Sequence, residues 1–202
     1  MNDTDGIERN VAVTGDNKRG KVVIISGPSG VGKSTVCHRL CESIPARFSV
    51  SVTTRPPRPG EANARDYHYI SHDEFASLRD NGGLLEFAEV YGNMYGTPAA
   101  PVREAIATGE VSILEIDING CIQVRKAIPE TKTFFMMPPS PDEQRRRIED
   151  RKTDPADAIR ERLSKADGET RYAMDAGCYD VFIINDDLDE TVQRIRDSIL
   201  KE

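Results

Sequence analysis

An α/β fold with a mostly parallel sheet, covered by helices on both faces, is predicted by three features of the 202-residue chain. Short β-branched apolar runs alternate with stretches of helical period from residue 21 onward. The first of these runs breaks at a glycine-rich segment that opens a helix. A region of hairpin-like spacing at 67–96 interrupts the alternation, so an inserted mixed α/β lobe is expected there.

Each element follows from local chemistry. Lys-Val-Val-Ile-Ile-Ser at 21–26 is a buried parallel strand that stops at Gly27, and a helix is expected over 33–43. Residues 48–53 alternate like a second strand, and 54–66 form a long polar loop rich in Pro and Arg. Ser71 followed by Glu74 is a capping box that opens a helix to about Asp80. Asn81-Gly82-Gly83 then turns into a strand at 84–90, and Gly92-Asn93 makes the next turn. Pro101 suits the first turn of a helix ending near Gly109. A strand follows at 111–117 with carboxylates at its end, then a helix at 119–127 and a strand at 132–137. Ser140-Pro141 opens an Arg-rich helix that fails near Lys152, and Asp154-Pro155 opens another reaching about Ala176. A strand at 180–185 and a helix at 188–201 close the chain.

The length and 38% hydrophobic content allow one domain with a sizeable core. Residues 1–19 are polar and read as a flexible tail. Within 20–202 the core is expected at 20–52, 98–140 and 177–202, an acceptor lobe at about 53–97 and a lid at about 141–176. A net charge of −7 argues against general attraction to nucleic acid and requires any phosphate site to be concentrated. Cys37, Cys41, Cys121 and Cys178 have neither zinc spacing nor the density of a disulfide scaffold, and the longest apolar runs are strand-length. A reducing cytoplasm without membrane attachment is expected. The oligomeric state is left open.

Gly27-Pro28-Ser29-Gly30-Val31-Gly32-Lys33-Ser34, with Thr35 next, fits the P-loop pattern in full and sits between strand and helix. The glycines let backbone N–H groups turn inward around an anion, and the helix that follows points its positive end at the same place. Lys33 is expected to reach the β- and γ-phosphates of ATP, and Ser34 to ligate a magnesium ion bridging them. The fold class is therefore that of P-loop NTPases.

The acceptor must be read elsewhere. Arg55 and Arg58, three residues apart on a proline-stiffened loop, suit a phosphate monoester, and Tyr67 and Tyr95 add neutral donors. A solvated loop with unpaired arginines is the alternative. Glu86 and Asp117 put carboxylates into otherwise apolar runs, where isolated charge is costly. Either they pair with a nearby arginine, or they match the N1–H and N2–H donors of guanine.

The P-loop, the run Ser51-Val-Thr-Thr-Arg55-Pro-Pro-Arg58-Pro-Gly-Glu61, the Tyr91-Gly-Asn-Met-Tyr95-Gly-Thr97 neighbourhood and Asn185-Asp-Asp together resemble guanylate kinase, over roughly 20–202. The resemblance implies that Arg55, Arg58, Tyr67 and Tyr95 hold the phosphate of GMP, while Ser51, Glu86, Thr97 and Asp117 read its guanine. It implies that Asn185 meets the adenine side of ATP and that Arg147, Arg151 and Arg162 are lid arginines acting on the phosphates. Four positions depart from the family pattern. Glu115 stands where Asp is usual, Lys152 and Ala64 where Gly is usual, and Met94 where an aromatic is usual.

The implied reaction is magnesium-assisted, in-line transfer of the γ-phosphoryl of ATP to GMP and dGMP, in purine nucleotide metabolism. The second ionisation of a phosphate monoester lies near ~6, so the acceptor needs no strong general base. Alignment and charge neutralisation carry the catalysis. A peptide-binding module that has lost catalysis, and a kinase for another phosphorylated acceptor, are the competing readings.

Overall fold

The computed structural model describes residues 20–90, 92–150 and 156–201, the side chains of 156–162 and 165–167 excepted. In chain order the elements are β1 (Lys21–Ser26), α1 (Lys33–Ser43), β2 (Ala46–Phe48), β3 (Val52–Thr53), β4 (His68–Tyr69), α2 (His72–Asp80), β5 (Leu84–Val90), β6 (Asn93–Pro98), α3 (Ala99–Ala107), β7 (Val111–Glu115), α4 (Ile118–Ala127), β8 (Lys132–Met137), α5 (Pro141–Glu149), α6 (Ala156–Ala176), β9 (Val181–Ile184) and α7 (Leu188–Leu200).

β1 reads as a continuous apolar run because both of its faces are covered. It lies at the centre of an all-parallel sheet ordered β2-β7-β1-β8-β9. Val23 and Ile25 pack with Val36, Cys37 and Leu40 of α1 and Ile195 and Ile199 of α7. Val22 and Ile24 point the other way, into Val102, Cys121, Val124 and Phe135. Each such fully buried aliphatic side chain contributes roughly 1.5–3 kcal/mol relative to exposure. The cysteines are free: Cys37, Cys121 and Cys178 are buried and Cys41 is partly so, in line with small apolar side chains.

A second, mixed sheet ordered β4-β3-β6-β5 forms the inserted lobe. Its helix α2 starts on the expected capping box: the Ser71 hydroxyl accepts from Glu74 N–H, and the Glu74 carboxylate accepts from Ser71 N–H at 2.8 Å. Two expected strands are corrected. The single strand at 48–53 is two, because the chain leaves the large sheet after Phe48 and joins the small one at Val52, so Ser51 lies between the sheets. The strand at 111–117 ends at Glu115, because Asp117 has become the N-cap of α4, accepting from Gly120 N–H at 2.7 Å. Among the described residues no helix is long and apolar enough to cross a membrane.

Candidate active site

The carboxyl ends of β1 and β7 lie side by side, where open α/β sheets bind ligands. The Ser26 hydroxyl donates to the Ile116 carbonyl at 2.7 Å, tying the root of the P-loop to the segment that carries Glu115 and Asp117. Gly30 and Gly32 have φ of 84° and 89°, which a side chain would strain. Space excludes one as well: a Cβ on Gly30 would lie 2.6 Å from Ile148 Cγ1, and one on Gly32 would lie 2.7 Å from Asn185 Nδ2.

Lys33 folds back across the loop, donating to the carbonyls of Gly27 and Pro28 at 2.8 and 3.0 Å. The Ser34 hydroxyl donates to Glu115 Oε1 at 3.1 Å, so a hydroxyl and a carboxylate converge at the start of α1. Pro28 and Val31 differ from Thr35 in exposure: Val31 is buried, whereas Thr35 is exposed and Pro28 is buried at the root of the loop. A cavity of about 600 Å³ opens beside the loop. Gly27, Ser29, Gly30, Gly32, Lys33 and Ser34 form its wall on one side, and Ser51, Arg58, Tyr67, Glu86, Tyr95 and Asp117 line it as well. Two groups of candidate residues far apart in sequence therefore share one space.

The acceptor loop is organised around Glu61, a residue to which the sequence assigns no role. Arg55 Nη2 donates to both of its carboxylate oxygens at 2.9 and 3.0 Å, Arg58 N–H donates at 2.7 Å and the Tyr69 hydroxyl at 2.8 Å. Burial opposes ionisation of Glu61, but these donors outweigh it and hold its carboxyl below the ordinary value. The same guanidinium donates from Nε to the Tyr95 hydroxyl at 3.2 Å and lies 5.5 Å from the Tyr67 ring centre. Burial, then the Glu115 carboxylate, pushes the Tyr67 phenol up to about 12, so it stays a neutral donor. Arg55 is therefore paired rather than solvated, and it stands behind the cavity wall to which Arg58 contributes. Glu61 lies within the proline-stiffened run; its signal was a lone acid three residues after Arg58.

Glu86 is 5% exposed on β5 and accepts from the Thr97 hydroxyl at 2.6 Å. Burial, reinforced by the Asp117 carboxylate, raises its carboxyl to about 7 against the opposing pull of Thr97. Among the described residues no arginine pairs with Glu86. Thr97 is itself fully enclosed and does not line the cavity; its hydroxyl is spent on Glu86.

The donor-side residues are less uniform. Asn185 is buried beneath the P-loop, and its Nδ2 donates to the Val31 carbonyl at 2.7 Å. Arg147 donates to Glu143 Oε1 at 2.8 Å and to the Asn185 carbonyl at 2.9 Å. Neither side chain lines the cavity. Arg151 lies outside the described residues, as does the side chain of Arg162 on α6.

A family model described as guanylate kinase matches residues 19–202. The chain belongs to the guanylate kinase family. A guanylate kinase of Thermus thermophilus is 42% identical over 174 residues, covering 86% of this chain and 78% of the relative. One from Ruegeria pomeroyi is 42% identical over 189 residues, covering 92% and 87%. The crystal structure of guanylate kinase from Anaplasma phagocytophilum matches with a TM-score of 0.73 at 34% identity, over 91% of this chain and 86% of that one. The fold is accordingly the P-loop α/β fold of that family. Against the guanylate kinase pattern, Glu115 uses its extra methylene to reach Ser34 directly. Ala64 adopts φ 63°, the left-handed conformation for which glycine is suited.

Proposed function

We propose that the chain is an ATP-dependent guanylate kinase that transfers the γ-phosphoryl of ATP to GMP, and to dGMP, giving ADP and GDP. The observation that carries this reading is the buried Glu86, held by Thr97 and open to the same cavity as the P-loop. A buried carboxyl facing a cavity is matched by the N1–H and N2–H donors of guanine, whereas a sugar phosphate would leave it unpaired.

In this reading the P-loop amides and Lys33 grip the donor phosphates. Lys33 already presents its ammonium at the loop and exchanges the Gly27 and Pro28 carbonyls for phosphate oxygens. Arg58 and the Arg55–Tyr95–Tyr67 web hold the acceptor phosphate, with Glu61 fixing the Arg55 guanidinium and the Arg58 backbone beforehand so that less ordering entropy is lost on binding. Ser51, Glu86, Thr97 and Asp117 select the base. Ser34 and Glu115 converge as hard oxygen donors and suit magnesium, which when bound neutralises charge on the ATP phosphates. The lid arginines Arg147, Arg151 and Arg162 stabilise the transferring group, an effect worth ~10³–10⁵ in rate for an arginine in related chemistry. Asn185 borders the adenine side. Closure of the lid excludes water, which would otherwise accept the phosphoryl group. The cytoplasm is the proposed compartment.

A coupled assay with ATP and magnesium against GMP, dGMP, AMP, UMP and CMP tests the reading. Strong preference for the two guanine nucleotides is expected. Inactivity with every acceptor favours the peptide-binding alternative, and equal use of all five removes Glu86 as the selector.

A further inference from the structure

Beyond the residues that face the nucleotides, α5 reaches the P-loop from behind. Gln144 is 4% exposed, does not line the cavity, and donates from Nε2 to the Ser29 carbonyl at 2.7 Å. One turn later Ile148, 1% exposed, fills the space against Gly30. The helix is itself fixed: Ser140 caps it by accepting from Glu143 N–H, and Arg147 ties it to the Asn185 carbonyl at 2.9 Å.

The direction of that hydrogen bond matters because a trans peptide is rigid. Its C=O and the next N–H point to opposite sides, so holding one orients the other. Gln144 does not line the cavity and Gly30 does, so a Ser29 carbonyl drawn onto Gln144 leaves the Gly30 N–H directed to the cavity side, where a donor phosphate would bind. Asn185 acts in the same way further along the loop, taking the Val31 carbonyl at 2.7 Å and so directing the Gly32 N–H. At the other end of the loop Lys33 draws the Pro28 carbonyl and directs Ser29 N–H, but that contact is surrendered when Lys33 engages phosphate. Gln144 has no such competing duty.

We infer that Gln144 is a positioning residue for phosphoryl donor binding: by fixing the Ser29 carbonyl from outside the cavity, it preorganises the Gly30 N–H that receives the donor phosphates. The inference rests on the proposed ATP site and deepens it. Gln144 and Ile148 together hold α5 against the loop.

The test is Gln144→Met, which keeps length and apolar fill and removes the donor. KM for ATP is expected to rise about 5- to 20-fold, the effect of one lost buried hydrogen bond, with KM for GMP within about 2-fold and adenosine binding unchanged. A merely structural role would shift both substrates together. Equal shifts for ATP and GMP, or no shift in either, overturn the inference. The unmodified protein gives a second reading that needs no variant. The Gln144 side-chain amide protons, followed by NMR, are expected to be protected from exchange and to shift on adding ADP but not GMP; indifference to ADP overturns it. Wild-type transfer to GMP in the same assay checks the underlying function separately.

Discussion

Replacing Glu86 by Gln separates what this residue costs the fold from what it gives the substrate. In the free protein its carboxyl is held at about 7 by burial and by Asp117, against an ordinary value near 4.5. The raised value means that the folded state keeps the proton where the unfolded chain has lost it. Glu86 thus adds no penalty below about pH 4.5, destabilises progressively as pH rises from there to about 7, and stays destabilising above. The full linkage over that window is up to about 3 kcal/mol. Glutamine imitates the neutral acid and can still accept from Thr97. Relative to wild type, Glu86→Gln is therefore expected to be near neutral at pH 5 and more stable by up to about 3 kcal/mol at pH 8, or roughly 5–10 °C in Tm. Urea unfolding of both proteins at pH 5, 6, 7 and 8 measures this. The same variant is expected to raise KM for GMP about 10- to 100-fold, because a charge-assisted acceptor for the guanine edge is gone. A stability difference that does not change with pH would refute the account of the buried acid, whatever the kinetics show.

Three further substitutions test other parts. Lys33→Ala is expected to lose at least about 100-fold in turnover while circular dichroism and Tm stay near wild type, since the side chain donates to loop carbonyls rather than to the core. Arg55→Ala leaves Glu61 without its guanidinium partner, so about 1–3 kcal/mol of stability is lost in urea titration and KM for GMP rises more than about 10-fold. Ala64→Gly relieves the left-handed backbone at φ 63° and is expected to add about 0.5–1 kcal/mol, seen as a higher urea midpoint with transfer unchanged.

Much of this molecule was legible from local chemistry. The P-loop reads directly because a strand, three glycines, a lysine and a helix start must be contiguous to wrap a phosphate. The capping box at Ser71 and the proline at the start of α5 likewise act within a few residues. The readings that needed correction depend on distant partners. Alternation at 48–53 says that a strand is present, but not that the chain changes sheets at Ser49 to Ser51. Asp117 is a cap because the chain turns into α4 at Ile118, which brings Gly120 N–H within 2.7 Å of its Oδ1. The roles of Glu61 and Gln144 do not show locally: one closes the acceptor-loop run but is the centre of a web drawn from Arg55, Arg58 and Tyr69, and the other matters through a carbonyl 115 positions away. Glu115 showed in the sequence only as a longer acid, and its reach to Ser34 required β1 and β7 to be neighbours.

A crystal structure with ADP and GMP bound together tests the central claim most directly. Both nucleotides are expected in the one cavity, with the ADP phosphates on the P-loop amides, the GMP phosphate against Arg55 and Arg58, and the guanine edge on Glu86. Guanine turned away from Glu86, or GMP bound on another surface, contradicts it.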